Sequence, residues 1–185
     1  SATDRIALAQ QALELAVAAA DRRLEGVVRH QLSDLYNGRG DLAAAAAYLD
    51  SAMPLLEAGG DATALARALT SQGRLRRLFG QPAESVTLNR RAAGLLESSG
   101  DLAGAAQALD AITRAQIDMD DDAVLVSAQE AVALARRSNL PAVLAPALCR
   151  LAVVLVRSRR APEALAALEE AEPLAQAPNI RSVYL

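Results

Sequence analysis

The sequence predicts an all-α fold, in which antiparallel helix pairs stack side by side into an α-α superhelix. One observation is the composition, because 52% of the 185 residues are hydrophobic but only 2% are aromatic. A core made mainly of Ala, Leu and Val favours closely packed helices over a β-sandwich. The other observation is an internal repeat of about 40 residues, a period typical of solenoids built from helical pairs.

The repeat is clearest in a short motif, an Ala followed three residues later by a Leu. It occurs in strings such as QQALELA and RRAAGLLE, at intervals of 40, 40, 39 and 40 residues. The aligned pairs are Ala12 and Leu15, Ala52 and Leu55, Ala92 and Leu95, Ala131 and Leu134, and Ala171 and Leu174. The shorter interval predicts a missing residue in the third full unit, near DMDDD at 118–122.

Gly, Asp and Pro divide each repeat into two segments that are rich in Ala, Leu, Arg and Glu, which are good helix formers. The breaks include Gly40-Asp41, Gly60-Asp61 and Gly100-Asp101. We therefore predict helices near 3–19, 22–38, 42–58, 62–78, 82–98, 102–117, 122–138, 141–157 and 161–176. We expect a single array over 1–185, with a half repeat at 1–20, full repeats at 21–60, 61–100, 101–139 and 140–179, and the start of a further element at 180–185.

The segment 32–57, LSDLYNGRGDLAAAAAYLDSAMPLLE, resembles a tetratricopeptide repeat (TPR). The residues that carry the resemblance are Leu32, Ser33, Tyr36, Gly40, Asp41, Ala45 and Ala52. The long period is similar to that of MalT/LuxR-type and antibiotic-regulatory-type bacterial regulators and of kinesin light chains. HEAT-like repeats have this length but do not place small residues and Gly-Asp in this way. The resemblance implies a right-handed superhelix with the first helix of each pair on the concave side.

The resemblance also implies that a stripe of each first helix, at spacing i, i+3, i+7 and i+10, lines the concave face. The candidate ligand-binding residues on this stripe are His30, Asp34, Asn37, Arg67, Thr70, Arg74, Arg77, Gln107, Asp110 and Arg114. In the fourth full unit the stripe consists of Pro146, Cys149, Val153 and Val156. Guanidinium groups suit carboxylates, so the basic part predicts an acidic peptide as ligand. An ordinary hydrated surface is the alternative.

Other motifs have structural explanations. Arg39-Gly40-Asp41 spells a cell-adhesion tripeptide, but Gly is favoured at a helix C-terminus and Asp as the next N-cap. The alternating aspartates at 118–122 lack the Gly and Glu of a calcium loop, so we predict no metal site. His30 and Cys149 are each the only residue of their type. They offer neither a ligand set nor a nucleophile–base pair, and no nucleotide-binding or hydrolase motif is found, so we predict no enzyme and no cofactor.

We therefore expect a non-catalytic scaffold that binds a protein or peptide and belongs to a cytoplasmic bacterial signalling or transcriptional regulator. All 19 basic residues are Arg, which with the high Ala content indicates a GC-rich genome. The net charge of −3 gives no overall attraction to nucleic acid or an anionic membrane. The N-terminus without Met and the C-terminal NIRSVYL suggest a fragment of a longer chain, whose flanking domains are further candidate partners.

The alternative function is structural. The fourth first helix, PAVLAPALCRLAVVLVRS, is apolar on nearly all sides, and such a helix is normally buried on more than one side. A following repeat, a neighbouring domain or a second subunit is expected to cover it. The chain would then be an oligomerisation segment that self-associates through its ends and its apolar fourth repeat.

Overall fold

The fold is a row of antiparallel α-helices, which confirms the predicted all-α architecture of stacked helix pairs. The structure, a computed structural model, describes residues 2–175, and this part of the chain contains nine helices and no strand. The helices are Ala2–Ala18 (α1), Arg22–Gly38 (α2), Leu42–Ala58 (α3), Ala62–Leu78 (α4), Pro82–Ser98 (α5), Leu102–Met119 (α6), Val124–Ser138 (α7), Pro141–Arg157 (α8) and Ala161–Ala175 (α9). The predicted end of α9 at 176 and the further element predicted at 180–185 lie outside the described residues.

The predicted bounds differ most from the structure at the turn between α6 and α7, where the end of α6 and the start of α7 each lie two residues later than predicted. The ends of α1 each lie one residue earlier than predicted. α6 continues to Met119, and Asp120 then adopts a left-handed backbone with a φ of 56°. The Asp121 carboxylate accepts a hydrogen bond from the backbone N–H of Ala123 at 2.9 Å and another from the Gln116 side chain at 3.1 Å. Because this side chain closes the turn before the backbone becomes helical, α7 begins only at Val124.

Each turn between two helices contains one residue with a positive φ, and these residues recur every 19 or 20 positions. Four of them are glycines, namely Gly40, Gly60, Gly80 and Gly100. The other four are Ala20, Asp120, Asn139 and Arg159. Gly adopts this conformation without steric strain, and Asn and Asp also tolerate it. The strain is therefore expected mainly at Ala20 and Arg159.

Replacing Ala20 with Gly is expected to raise the free energy of unfolding by about 0.5–1 kcal/mol. Ala20 has a φ of 53°, and the left-handed conformation costs an L-residue about 1–2 kcal/mol. The greater backbone entropy of Gly in the unfolded chain offsets part of that gain. Urea denaturation measures the change. Gly40→Ala is the converse variant, because Gly40 has a φ of 81° and open space around its Cα. Gly40→Ala should destabilise the fold. If neither variant changed the urea midpoint of unfolding, strain at these positive-φ residues would not be the explanation.

Aspartate N-caps begin four of the helices and give the array its regular turns. The side chains of Asp21, Asp41, Asp61 and Asp101 each accept a hydrogen bond from the backbone N–H three residues later. In the Arg39-Gly40-Asp41 segment, Gly40 has positive φ and Asp41 accepts from Ala44 at 3.0 Å. The structural roles predicted for this Gly and this Asp are thus confirmed.

The two helices of each pair occupy different sides of the stack. Each second helix (α3, α5, α7 and α9) packs against the first helix of its own pair (α2, α4, α6 and α8). The backbones of successive first helices also approach one another closely, whereas successive second helices are bridged by ion pairs between long side chains, such as Arg91 on α5 with Glu57 on α3. The first helices therefore lie closer together and form the inner side. Fully buried alanines, such as Ala66 and Ala105 on two first helices, permit this close approach.

Helix α8 is covered largely by the chain itself. It contacts α6, α7 and α9, and its side chains Val143, Leu148 and Leu155 are buried. Two of its large aliphatic residues remain exposed, Val153 with 48% and Val156 with 60% of its surface accessible. Most of the apolar surface of α8 is thus buried within the chain, and an external cover would be needed only over these exposed side chains.

Candidate functional site

The candidate site is the inner stripe, which we define by the predicted residues on α2, α4 and α6 together with Cys149, Val153 and Val156 on α8. Side chains along it bridge successive first helices. Arg74 Nη2 donates to Asp34 Oδ1 at 2.6 Å, joining α4 to α2. Two repeats further on, Arg150 Nε donates to Asp110 Oδ1 at 3.1 Å, joining α8 to α6. The polar part of the inner stripe is thus linked from one helix pair to the next.

A pocket of about 370 Å³ opens between α2, α4 and α6. It brings together five of the predicted residues, namely His30, Asp34, Arg67, Thr70 and Gln107. The predicted residues outside its lining are Asn37, Arg74, Arg77, Asp110 and Arg114. The structure therefore divides the predicted residues into two groups. One group lines the pocket, and the other forms a mostly charged surface next to it.

One wall of the pocket contains His30, Asp34 and Ser71, which form a hydrogen-bonded cluster with Arg74 outside the lining. Ser71 Oγ donates to Asp34 Oδ1 at 2.9 Å and lies 3.0 Å from His30 Nε2. Ser71 is only 7% exposed, so it ties α4 to α2 out of reach of most solvent. Ser71 was not among the predicted residues because it lies one position off the inner stripe, next to the predicted Thr70.

This cluster contains the residue types of a hydrolytic triad, but its geometry differs from one. In a triad, the Ser and the Asp bond to different nitrogens of the imidazole. Here Asp34 Oδ2 lies 3.5 Å from Nε2, the same nitrogen that faces Ser71. Asp34 also accepts the Ser71 hydroxyl proton directly. Since Asp34 does not hold the other nitrogen of His30, the arrangement lacks the Asp-His-Ser relay of a triad.

His30 is held in its neutral form at neutral pH. Burial lowers the pKa of His30 below its ordinary value of 6.5. The Asp34 carboxylate opposes this shift, while the charges of Arg74 and Arg67 add to it. Neutral His30 offers one donor and one acceptor nitrogen, which suits its position against the Ser71 hydroxyl.

Acidification is expected to destabilise the fold through His30. Because the folded pKa of His30 lies below 6.5, the unfolded chain binds more protons between the two values. Stability is then lost as the pH falls from about 6.5 through the folded pKa. An NMR titration of this single His gives the folded pKa directly. Urea denaturation at pH 7 and pH 5 should show a smaller loss in His30→Gln than in the parent, and equal losses would contradict this assignment.

Beyond the pocket, an arginine cluster is paired with a smaller number of carboxylates. The four arginines are Arg74, Arg77, Arg114 and Arg150, and the three carboxylates are those of Asp34, Asp110 and Asp118. Arg77 reaches Asp118 at 3.0 Å, and Arg114 and Arg150 share Asp110 at 3.3 and 3.1 Å. The predicted basic groove is therefore mostly neutralised from within, and one positive charge is left over.

The unmatched charge is centred on Arg114. Burial lowers the pKa of Arg114; the Asp110 carboxylate opposes that shift, and the charges of Arg150, Arg77 and Arg74 add to it. Its Nε is buried and has no hydrogen-bond partner, although its side chain is 41% exposed. The exposed part of this guanidinium, beside other cations, is a favourable partner for an anion.

The acidic turn at 118–122 is used for structure. Asp118 pairs with Arg77, and Asp120 pairs with Arg157 at 2.6 Å. Over the residues that the structure describes, no group of His, Cys, Asp and Glu side chains is arranged to hold a metal ion. None of the helices in this range is both long and apolar enough to cross a membrane.

Comparisons with known proteins agree with the fold. No protein-family model matches the sequence, and no curated protein matches it. Among solved structures, BtubC (BKLC) from P. vanneervenii has a TM-score of 0.74 at 18% identity, covering 85% of this chain and 66% of BtubC. A putative kinesin light chain of Podospora anserina with nearly identical TPR-like repeats has a TM-score of 0.72 at 13% identity, covering 96% of this chain and 89% of that one.

A substituted form of the same Podospora anserina protein has a TM-score of 0.74 at 13% identity, covering 94% of this chain and 86% of that one. The chain therefore spans just under two thirds of BtubC and most of the two kinesin light chain structures. At these identities the likeness concerns the fold, which is that of a TPR-like repeat solenoid.

Proposed function

We propose that this chain is a non-catalytic scaffold that binds an acidic peptide or protein segment on its inner stripe. The observation that carries the proposal is the arginine cluster, in which four guanidinium groups share three carboxylates and the Arg114 side chain is 41% exposed. An acidic ligand would bind at the exposed part of this guanidinium and neutralise the remaining charge. The pocket beside the cluster adds Arg67, whose side chain is 68% exposed and lies 4.0 Å from Asp101, the longest of the ion pairs described.

Binding of fluorescein-labelled octaglutamate, followed by fluorescence anisotropy, tests this function. Arg67→Glu is expected to weaken binding about tenfold, because it reverses an exposed charge at the pocket. Arg67 makes only a distant ion pair, so the fold should be unaffected. Added salt should weaken binding to the parent protein, because exposed charges are screened.

Arg91→Glu is the matched control for this experiment. Arg91 lies on α5, an outer helix, is 54% exposed and pairs with Glu57 at 3.2 Å. The control therefore makes the same change of net charge away from the inner stripe. Equal weakening by both variants would indicate general attraction by charge and would contradict a defined acidic site.

A second candidate function is self-association, which the exposed apolar residues at the two ends of the described array favour. On α1, Leu8 and Leu15 are 64% and 71% exposed, and on α9, Leu165 and Leu168 are 58% and 45% exposed. Sedimentation over a wide concentration range tests this function. Self-association that Leu165→Ser and Leu168→Ser reduce would support it, and a monomer at every concentration would exclude it.

The finer identity of the chain is also a proposal. We propose a single array with the repeat bounds given above, within a cytoplasmic bacterial regulator similar to the MalT/LuxR type, in which flanking domains are possible partners. The support is the long period, together with the Ala-rich composition without Lys. A reading frame that joins this segment to a helix-turn-helix or ATPase domain would support the regulator, and one that joins it to a catalytic domain of another class would contradict it.

A further inference from the structure

We infer that the inner stripe selects an extended peptide carrying a carboxylate and, about three residues away, an aliphatic side chain. The carboxylate binds at Arg114, and the aliphatic side chain packs on Val153 and Val156 of α8. This inference rests on the proposed function and names the ligand more closely.

The first argument is the position of the two valines in the repeat. Val153 aligns with Arg74 on α4 and Arg114 on α6 when the units are superposed at intervals of 40 and 39 residues. Those arginines point along the inner stripe, where their partners are the carboxylates of Asp34 and Asp110. The position of Val153 therefore lies on the inner stripe, the surface on which the ligand is proposed to bind.

The second argument is the exposure of these valines beside a well-covered helix. Val153 is 48% exposed and Val156 is 60% exposed, whereas the adjacent Val154 and Leu155 are at most 3% exposed. Three residues apart, the two valines lie on one face of α8. They form an aliphatic patch at positions where the other first helices carry mostly polar residues.

The third argument is the continuity between the patch and the arginine cluster. Arg150 precedes Val153 by three residues, which places it one turn away on the same side of α8. Its Nε bonds to Asp110 Oδ1 at 3.1 Å, and the other oxygen of Asp110 lies 3.3 Å from Arg114. A ligand that reaches Arg114 therefore has the aliphatic patch within reach on the next first helix.

The spacing of the two ligand groups follows from the distance between helices. Packed helices lie about 8–10 Å apart, and an extended chain advances about 3.3 Å per residue. A carboxylate at Arg114 and an aliphatic side chain on α8 are then about three residues apart along the ligand. The cluster has one uncompensated charge, which a single carboxylate neutralises.

NMR titrations of the isotopically labelled chain with four peptides test the inference. In the same serine-rich frame, the peptides contain Glu-Ser-Ser-Leu, the reversed order Leu-Ser-Ser-Glu, Glu alone or Leu alone. One of the two mixed orders should bind at least tenfold more tightly than either single-anchor peptide. The shifts should lie on α6 and α8, and binding of the mixed peptide should weaken in Arg114→Gln.

The double variant Val153→Ser with Val156→Ser should abolish the additional affinity that Leu gives to the mixed peptide. It should leave the weaker binding of the Glu-only peptide unchanged. Leu165→Ser with Leu168→Ser, on the exposed surface of α9, is the matched control and should change neither. If octaglutamate binds in an Arg67-dependent manner but Leu adds nothing, this inference fails and the proposed function stands. If neither octaglutamate nor any of the four peptides binds, both fail.

Discussion

Replacing Arg29 with Leu is expected to lower the free energy of unfolding by about 2–3 kcal/mol. Arg29 donates to Glu25 Oε1 through Nε at 3.0 Å and through Nη2 at 2.7 Å, and it also donates to Ser51 at 3.1 Å. Glu25 is only 7% exposed. Without Arg29 its carboxylate stays buried, with only Arg22 nearby at 3.8 Å, a side chain that is 77% exposed. The estimate is below that for a fully buried pair because Arg29 is 26% exposed.

The double variant Glu25→Leu with Arg29→Leu should recover most of this loss. The same positions carry Leu65 and Leu69 in the second full unit and Leu144 and Leu148 in the fourth. The double variant therefore gives α2 the apolar pair that its relatives in the chain already have, and replacing a buried ion pair by apolar residues is often neutral or stabilising.

Urea denaturation of the single and double variants measures both effects, and the exposed pair Glu57–Arg91 provides the control. Its side chains are 48% and 54% exposed, so Arg91→Leu should change the stability by no more than about 0.5 kcal/mol. A loss in Arg29→Leu as small as that of the control would show that the Glu25 carboxylate does not depend on Arg29. A double variant less stable than Arg29→Leu would show that the pair is needed for packing.

The helix bounds could be predicted because the signals that end a helix are local in sequence. Gly40 with Asp41, and Gly100 with Asp101, each place a left-handed residue directly before an N-cap. Such pairs define a turn without reference to the rest of the chain. The prediction differed most from the structure near Asp121, where a side chain closes the turn and no Gly marks it.

The contacts of the candidate site could be predicted only in part. Periodicity places Arg74 and Asp34 on one stripe, and the structure pairs them at 2.6 Å. That pairing joins residues 40 positions apart, so it depends on how one unit stacks on the next. The same spacing relates Asp110 to Arg150. The sequence does contain a signal for these pairs, namely opposite charges that lie one repeat apart. That signal predicts that the basic groove is largely neutralised.

Replacing Gly73 with Ala is expected to lower the free energy of unfolding by about 2–3 kcal/mol, as overpacking does in a well-packed core. A Cβ added at Gly73 would lie 2.3 Å from Asn89 Nδ2 and 3.3 Å from the backbone oxygen of Ser85. Asn89 cannot move aside cheaply, because it is fully buried and its Nδ2 donates to that same Ser85 oxygen at 2.8 Å. The substitution should therefore separate α4 from α5 or break this hydrogen bond.

Gly94→Ala is the matched control, since Gly94 is also within a helix but a Cβ there would meet nothing within 4 Å. It should stabilise the fold by about 0.5–1 kcal/mol, the usual preference for Ala over Gly in a helix. Adding Asn89→Ala to Gly73→Ala should restore part of the lost stability, because it removes the amide that the new methyl group would contact. Chemical denaturation of the three variants distinguishes a local clash from a general effect of helix propensity. If both Gly→Ala variants stabilise the chain, the close approach of α4 and α5 at Gly73 does not constrain the fold.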